Sequence, residues 1–350
     1  LIKNYEKNKY ISQILVTSNT LSSSKILEKY KFKKTIHQFF PIDHFFFTNK
    51  FLTYWKPSIA IFIESEIWPY MFKCLNSKKI PLILLNARLT KKTFYRWMKI
   101  KKFFKMIMSK ITIAYPQNLE TKFYLESIKL NKVSLIGNLK FAENYNEVEE
   151  KIEPNLDYQL KKRKIWVASS THKNEEILCA KTHLILKKKN KNLITIIIPR
   201  HIHRSNEIKK DIENLGLRVV LKSSGINNLK DIDIYIVDTF GETNKFHKIA
   251  SSVFLGGSIV NRGGQNPLEA ARYGARILHG PNVHNFKDVY KLLKLLKVSK
   301  KIYSSNQLNS SIIFKKNKNI GIKIKNIGEK ILKKTIKELD ILIKNEFKKT

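Results

Sequence analysis

The chain has 350 residues, of which 43% are apolar and 11% aromatic, and its formal net charge is +39. This length suits two α/β domains better than one, and the aromatic content argues against an intrinsically disordered chain. No apolar run reaches the roughly 18 residues that a membrane-spanning helix needs.

The positive charge is spread along the chain rather than concentrated. Most of the 67 basic residues are Lys, in scattered groups such as those at 99–102 and 187–189. Nucleic-acid sites favour Arg and local basic clusters, so this pattern predicts no nucleic-acid partner. Two interpretations stay open: solvated Lys on helix faces, and attraction to an anionic membrane surface.

The two cysteines, Cys74 and Cys179, lie far apart in the sequence. They have no metal-ligand spacing and predict reduced, buried thiols in a cytosolic protein. His, Cys and carboxylate residues show no metal-site spacing elsewhere either, so the sequence predicts no metal.

Short apolar runs alternate with longer Lys-rich stretches of helical character. In the first half, the runs lie at 14–17, 58–63, 81–85, 111–114 and 133–136. Runs that are apolar throughout are typical of parallel strands covered by helices on both faces. The first half therefore predicts a Rossmann-like, doubly wound domain.

An acidic segment at 143–157, which carries Pro154, interrupts the basic chain. We interpret it as a linker, with domains at 1–145 and 163–350 and the linker at 146–162. In the second half, apolar runs at 165–168, 193–198, 217–220, 232–237, 253–255 and 276–278 predict a second doubly wound domain. Helical spacing at 325–346 predicts a C-terminal helix of that domain. Such tandem domains commonly enclose a ligand cleft, which indicates an enzyme or a binding protein.

The segment 254–271 carries the strongest site signal. The pair at 256–257 ends a strand and predicts close approach of backbone to a ligand, because glycine has no Cβ. Asn266 is a good N-cap and Pro267 a good first helical residue, so a helix start with free N–H groups forms an anion site. Glu269, in the first turn, is suited to accept hydrogen bonds from a ribose diol.

Other candidate residues also follow predicted strands. Arg200 comes after a long apolar run and is suited to clamp a phosphate. Gly241 permits a tight turn before Glu242, which either contacts a ligand or caps a helix. Glu64 and Glu66 end a strand on one face, and each is either a site residue or a helix start.

Lys140, Arg88, His172 and His201 are weaker candidates. Lys140 follows a strand and a glycine turn, so its ammonium can reach a cleft, but a solvated Lys has the same appearance. Arg88 has no role that the sequence assigns. The two histidines either contact phosphate or are structural.

Seven motifs in chain order resemble those of the 3-deoxy-D-manno-octulosonic acid (Kdo) transferases, from about residue 1 to 288. They are Glu64-Ser65-Glu66-Ile67-Trp68-Pro69, Asn86-Ala87-Arg88-Leu89, Gly137-Asn138-Leu139-Lys140-Phe141, Ala168-Ser169-Ser170-Thr171-His172, Pro199-Arg200-His201, Asp238-Thr239-Phe240-Gly241-Glu242 and the glycine-rich segment 256–286.

This resemblance implies a GT-B fold with two Rossmann-like domains facing a cleft. It implies inverting transfer of Kdo from CMP-Kdo to a lipid A precursor, lipid IV-A, in Gram-negative lipopolysaccharide synthesis. The reaction would need no metal or other cofactor and would occur at the cytoplasmic face of the inner membrane. The implied partners are CMP-Kdo, the lipid A precursor and the anionic membrane surface.

The resemblance also implies roles for individual residues. It implies that Glu64 and Lys140 stabilise the transition state. CMP binding falls on Pro199, Arg200, Phe240, Gly241, Glu242, Asn266, Pro267, Leu268 and Glu269. Position 240 departs from the family, in which this residue is usually Met.

A second departure is that the sequence does not contain the family's general base. In the family this base is a Glu in a Ser-Val-Gly-Glu motif, upstream of the stretch that matches Leu1. The family's N-terminal membrane anchor is also upstream. We therefore expect an N-terminally truncated chain that folds poorly or binds CMP without efficient transfer. Three alternatives remain: a UDP-sugar GT-B glycosyltransferase or epimerase, an inactive CMP-binding remnant, and a basic nucleic-acid-binding protein.

Overall fold

The computed structural model of the protein describes residues 1–28, 30–130, 132–142, 151–225 and 228–347. The chain divides into two compact units. The first unit comprises Leu1–Glu143 and Ile327–Thr350, and the second comprises Asn144–Asn326.

The first unit contains two small parallel sheets. One pairs β1 (Ile14–Ser18) with β2 (Thr35–Phe39), and the other has the order β3 (Ala60–Ile63), β4 (Leu82–Ala87), β5 (Ile113–Pro116). Every residue of β4 is buried, as its unbroken apolar run predicts.

Two details of these sheets differ from the prediction. The run at 133–136 is not a strand, because it contributes only one parallel bridge, from Val133 to Ala114. Strand β2 was not predicted, since its alternating, half-exposed residues give no continuous apolar signal.

The α-helices of the first unit's N-terminal stretch are α1 (Ile2–Tyr5), α2 (Leu21–Glu28), α3 (Phe45–Trp55), α4 (Pro69–Ser77), α5 (Lys91–Met98), α6 (Lys101–Met108) and α7 (Leu119–Ser127). A 3-10 turn follows at Leu139–Ala142. Side-chain N-caps explain where two helices begin: Thr90 accepts from the Thr93 N–H, and Asn118 accepts from the Thr121 N–H. The apolar faces of α4 and α6 pack on β4.

The second unit is built on one seven-stranded parallel sheet. Its strands are β6 (Lys164–Thr171), β7 (Leu193–Pro199), β8 (Val219–Leu221), β9 (Ile234–Ile236), β10 (Ser252–Leu255), β11 (Arg276–His279) and β12 (Ser299–Lys301). Their order is β12-β11-β10-β6-β7-β9-β8. The sequence predicted all of these strands except β12, which is short and polar.

The helices of this unit are α8 (Pro154–Lys161), α9 (Glu175–Lys187), α10 (Ser205–Glu213), α11 (Thr243–Ile249), α12 (Leu268–Arg272), α13 (Lys287–Leu295) and α14 (Ser305–Ser311). Helix α8 occupies part of the expected linker at 146–162, because Pro154 begins a helix instead of breaking one. Residues 146–150 of that linker lie outside the described residues.

The last helix, α15 (Lys318–Phe347), differs from the expected end of the second domain. From Ile327 onward it belongs to the first unit. Its residues Leu339, Leu342 and Ile343 join the cluster that covers Ile83 and Leu85 of β4. The apolar stripe of this helix thus completes a core more than 200 residues away in sequence. None of the helices in the described ranges is long and apolar enough to cross a membrane.

Candidate functional site

The carboxyl edge of the second unit's sheet gathers most of the predicted CMP-binding segments. His172 follows β6, Arg200 follows β7 and Gly256 follows β10, while the segment 238–242 follows β9. Strand β6 lies between β10 and β7, so three of these segments leave adjacent strands. Ligands of open parallel sheets bind at this edge.

A group of basic residues at this edge, the basic corner, consists of His172, Arg200, His201 and Arg262. The rings of His172 and His201 lie 5.6 Å apart, edge to face. Burial lowers the pKa of His172, and the charges of Arg262 and Arg200 act in the same direction. Arg200 is exposed, and its backbone N–H donates to the Thr171 carbonyl at 3.0 Å. The corner therefore offers the exposed guanidinium groups of Arg200 and Arg262 to an anion.

The turn at 240–242 presents one exposed and one ion-paired side chain. Gly241 has a φ of +83°, which only glycine adopts readily, and Phe240 is 83% exposed. The Glu242 carboxylate contacts Lys222 at 3.4 Å and Lys245 at 3.1 Å. A ligand that hydrogen-bonds to Glu242 would share this carboxylate with the two ammonium groups.

The predicted helix start at 266–267 is present, shifted by one residue. Helix α12 begins at Leu268, and Asn266 Oδ1 accepts from the Leu268 N–H at 3.1 Å. Leu268 is fully buried, and its N–H is used by Asn266. Glu269 is half-buried, with Oε2 4.0 Å from Nδ1 of the buried His247. Neither ring nitrogen of His247 has a hydrogen-bond partner among the residues that the structure describes, and burial lowers the pKa of His247 to about 4.

The glycine pair at 256–257 packs closely against the end of β6. A Cβ on Gly256 would overlap the carbonyl of Ser170, and one on Gly257 would lie 3.3 Å from the His172 ring. The pair is therefore required for packing β10 against the end of β6. The expectation that these glycines bring backbone close to a ligand stays a prediction.

Sequence reasoning missed Glu175, the first residue of α9. Its carboxylate is fully buried and accepts from the backbone N–H groups of His172 and of residues 257–260. The only available signal was the pair Glu175-Glu176 at a helix start beside the His172 motif, and acidic residues are common at helix starts.

In the first unit, the structure brings Glu64 and Lys140 together. Lys140 Nζ lies 2.9 Å from Glu64 Oε1, and roughly a third of each side chain is exposed. Glu64 has a φ of +62°, in the left-handed region that costs a non-glycine residue about 1 kcal/mol. Its backbone N–H donates to Leu85 and its carbonyl accepts from Arg88, which holds that conformation.

Lys140 is held by two asparagines. Asn138 Oδ1 accepts from the Lys140 N–H, and Asn86 Oδ1 accepts from the Leu139 N–H, both at 3.0 Å. Asn86 lies near the carboxyl end of β4. Its hydrogen bond therefore ties the turn that carries Lys140 to the sheet whose strand β3 leads to Glu64. The ion pair therefore rests on a rigid support.

The remaining candidates of this unit are Glu66 and Arg88. Glu66 is exposed and accepts from the Trp68 indole N–H at 2.7 Å, so it orients an aromatic ring. The Arg88 carbonyl accepts from Ser65 Oγ, which fixes its backbone. Within the described ranges, no group of three or more His, Cys, Asp or Glu side chains could hold a metal ion.

Residues 1–143 match the family model described as 3-deoxy-D-manno-octulosonic-acid transferase. The 3-deoxy-D-manno-octulosonic acid transferase of Rickettsia felis is 34% identical over 336 residues, covering 95% of this chain and 71% of the relative.

Two solved structures resemble the fold. A glycosyltransferase from Rickettsia africae has a TM-score of 0.58 at 14% identity, covering 97% of this chain and 91% of that one. UDP-GlcNAc 2-epimerase from Neisseria meningitidis, bound to UDP-GlcNAc, has a TM-score of 0.52 at 13% identity, covering 93% and 91%. At these identities the likeness concerns the fold alone, which is α/β of the GT-B class with parallel sheets.

Proposed function

Because the chain belongs to the Kdo transferase family, a class of glycosyltransferases, we propose that it transfers Kdo from CMP-Kdo to a lipid A precursor in lipopolysaccharide synthesis. The acceptor is lipid IV-A and the anomeric configuration is inverted. The single observation that best supports this proposal is the convergence of Arg200, Arg262 and two histidines on the sheet edge where the predicted CMP-binding segments emerge.

The second unit binds the donor in this proposal. CMP-Kdo carries one phosphate, and the exposed Arg200 guanidinium neutralises the charge that develops when CMP leaves. Asn266 Oδ1 accepts from the Leu268 N–H, which fixes the turn that leads to Glu269. Glu269 accepts the ribose hydroxyls, and Phe240 and Glu242 contact the nucleotide from the Gly241 turn. No metal or organic cofactor takes part.

Glu64 and Lys140 stabilise the transition state. As the bond from the anomeric carbon to the phosphate oxygen breaks, positive charge develops on the sugar, and a fixed carboxylate stabilises it. The 2.9 Å pair with Lys140 orients the Glu64 carboxylate before the substrates arrive. An acceptor hydroxyl forms the new bond as CMP leaves, and its proton passes to a general base, the role that the resemblance assigns to a Glu upstream of the stretch that matches Leu1.

The acceptor is an anionic lipid, and we place the enzyme at the cytoplasmic face of the inner membrane. An exposed apolar patch of the first unit, made of Ile42, Phe45, Phe46, Phe47 and Tyr70, supports this placement. Phe45 and Phe46 are 53% and 62% exposed, and Ile42 is 72% exposed. Contiguous exposed apolar side chains on a strongly basic protein suit the surface of an anionic bilayer.

Two measurements test this function together. Calorimetric titration of the chain with CMP and with UDP should give binding to CMP alone, and the variant Arg200→Ala should weaken it about tenfold. Arg96→Ala, an exposed arginine of the first unit, is the matched control and should bind CMP normally. Tight binding of UDP with none of CMP would instead identify a UDP-sugar enzyme.

A transfer assay with CMP-Kdo and lipid IV-A then separates an enzyme from a binding remnant. The proposal expects a product whose mass exceeds that of lipid IV-A by one or more Kdo residues. CMP binding without any such product would show a chain that retains only the donor site.

A further inference from the structure

The buried carboxylate of Glu175 collects an unusual set of donors. Its Oε2 accepts from the N–H groups of His172 at 3.0 Å and Gly257 at 2.8 Å. Its Oε1 accepts from Ser258 at 3.1 Å, Ile259 at 2.9 Å and Val260 at 3.4 Å. The side chain is 0% exposed, so water has no access to it.

This arrangement has a clear physical consequence for the loop 257–260. A buried charge is tolerated only when it is fully hydrogen-bonded, and bonds from N–H groups to a carboxylate are about twice as strong as neutral ones. Because the loop's N–H groups all turn inward to Glu175, they do not serve as donors to a ligand. The loop instead presents its carbonyl groups on the other side.

Those carbonyl groups hold the neighbouring segments. The Gly257 carbonyl accepts from the Gly264 N–H, two residues before Asn266, and the Ser258 carbonyl accepts from the Asn282 N–H, both at 2.9 Å. The Ser258 hydroxyl accepts from the Gly280 N–H at 2.8 Å. A chain of hydrogen bonds thus runs from Glu175 through the loop to the turn that precedes α12.

We propose that Glu175 is a positioning residue for donor binding. It does not touch the nucleotide; it fixes the loop 257–260, and through it the turn leading to Asn266 and Glu269 on one side and His172 on the other. This inference rests on the proposed binding of CMP by the second unit.

The test compares Glu175→Gln with Glu176→Gln. Glu176 is the adjacent residue, is also buried, and contacts the Arg204 guanidinium at 3.2 Å rather than the loop. In Glu175→Gln the new side-chain amide keeps the size of the carboxylate but turns an NH2 group toward backbone donors. Calorimetry should show a CMP dissociation constant raised about tenfold for Glu175→Gln and changed less than about twofold for Glu176→Gln.

A second variant keeps the test decisive if Glu175→Gln does not fold. Glu175→Asp retains the charge but shortens the side chain, so the amides of Gly257, Ser258 and Ile259 should exchange hydrogen faster while CMP binding weakens in step. Faster exchange with unchanged affinity would overturn the positioning role. So would equal CMP affinity in the wild type and Glu175→Gln at equal melting temperature. Absence of CMP binding by the wild type would instead overturn the proposed function, and this inference with it.

Discussion

Glu64 in the first unit and Glu175 in the second both follow the carboxyl end of a parallel strand, but their surroundings differ. Glu175 is fully buried and all its bonds come from backbone N–H groups of its own unit. Glu64 is partly exposed and forms an ion pair with one lysine side chain. A carboxylate of the first kind stabilises a loop, whereas one of the second kind keeps a face for a substrate.

The glycine that precedes the loop 257–260 should tolerate a larger side chain poorly. Gly256→Ala should lower the free energy of unfolding by about 3 kcal/mol, because the new Cβ overlaps the Ser170 carbonyl. Gly241→Ala is the control: among the described residues, none except its chain neighbours has an atom within 4 Å of a Cβ at this position. Only its φ of +83° is unfavourable, which costs about 1 kcal/mol. Denaturant titration measures both, and equal losses would contradict the packing role of Gly256.

The partly exposed carboxylate should matter for the rate and not for the fold. Glu64→Gln should reduce the turnover number about 100-fold while leaving the CMP dissociation constant unchanged, because it removes a charge that acts in the transition state. Glu66→Gln, which loses only a contact to Trp68, should retain most activity. Steady-state assays with CMP-Kdo compare the two; similar turnover in both variants would remove Glu64 from the mechanism.

Asp233 extends the comparison to pH, since it is another buried and bonded carboxylate. Burial by itself would raise its pKa, but His183, Lys187 and the Arg218 N–H outweigh burial and hold the pKa of Asp233 well below its usual range. Its contribution to stability is therefore present above the unfolded pKa of about 4 and is lost as pH falls below it.

Asp233→Asn should cost about 2 kcal/mol at pH 7 and flatten the fall of unfolding free energy between about pH 5 and pH 3. The exposed neighbour Asp231 provides the control. Asp231→Asn should leave the acid limb, which is the fall of unfolding free energy at low pH, unchanged. An acid limb that is just as steep in Asp233→Asn as in the wild type would show that other groups cause it.

The smallest effect should come from removing the Glu64–Lys140 pair altogether. The double variant Glu64→Gln, Lys140→Met should change the free energy of unfolding by less than about 1 kcal/mol, because partly exposed ion pairs stabilise little. Thermal melts of the double variant and the wild type measure this. A loss as large as that of Gly256→Ala would mean that the pair is structural and that the comparison with Glu175 fails.

Much of the fold could be predicted from the sequence, because buried parallel strands are almost entirely apolar. Strands β4, β7 and β10 are of this kind. The half-exposed β2 and the polar β12 lack that signal. The membership of α15 was also beyond the sequence, since an apolar helical stripe does not specify which core it covers.

The candidate site shows the same division. Segments that follow strands, such as Arg200 and the helix start at Asn266, were found because parallel strands end at one edge. The partners of Glu175 in the loop 257–260 lie more than 80 residues away and are backbone groups, which leave no trace in side-chain pattern. The sequence likewise assigned a role to Glu64 and a role to Lys140 but did not predict that the two side chains form an ion pair.

A crystal structure of the chain soaked with CMP tests the central claim most directly. The account predicts the phosphate within hydrogen-bond distance of the Arg200 guanidinium and the ribose hydroxyls on the Glu269 carboxylate. A fully occupied nucleotide elsewhere, with Arg200, Asn266 and Glu269 untouched, would contradict it.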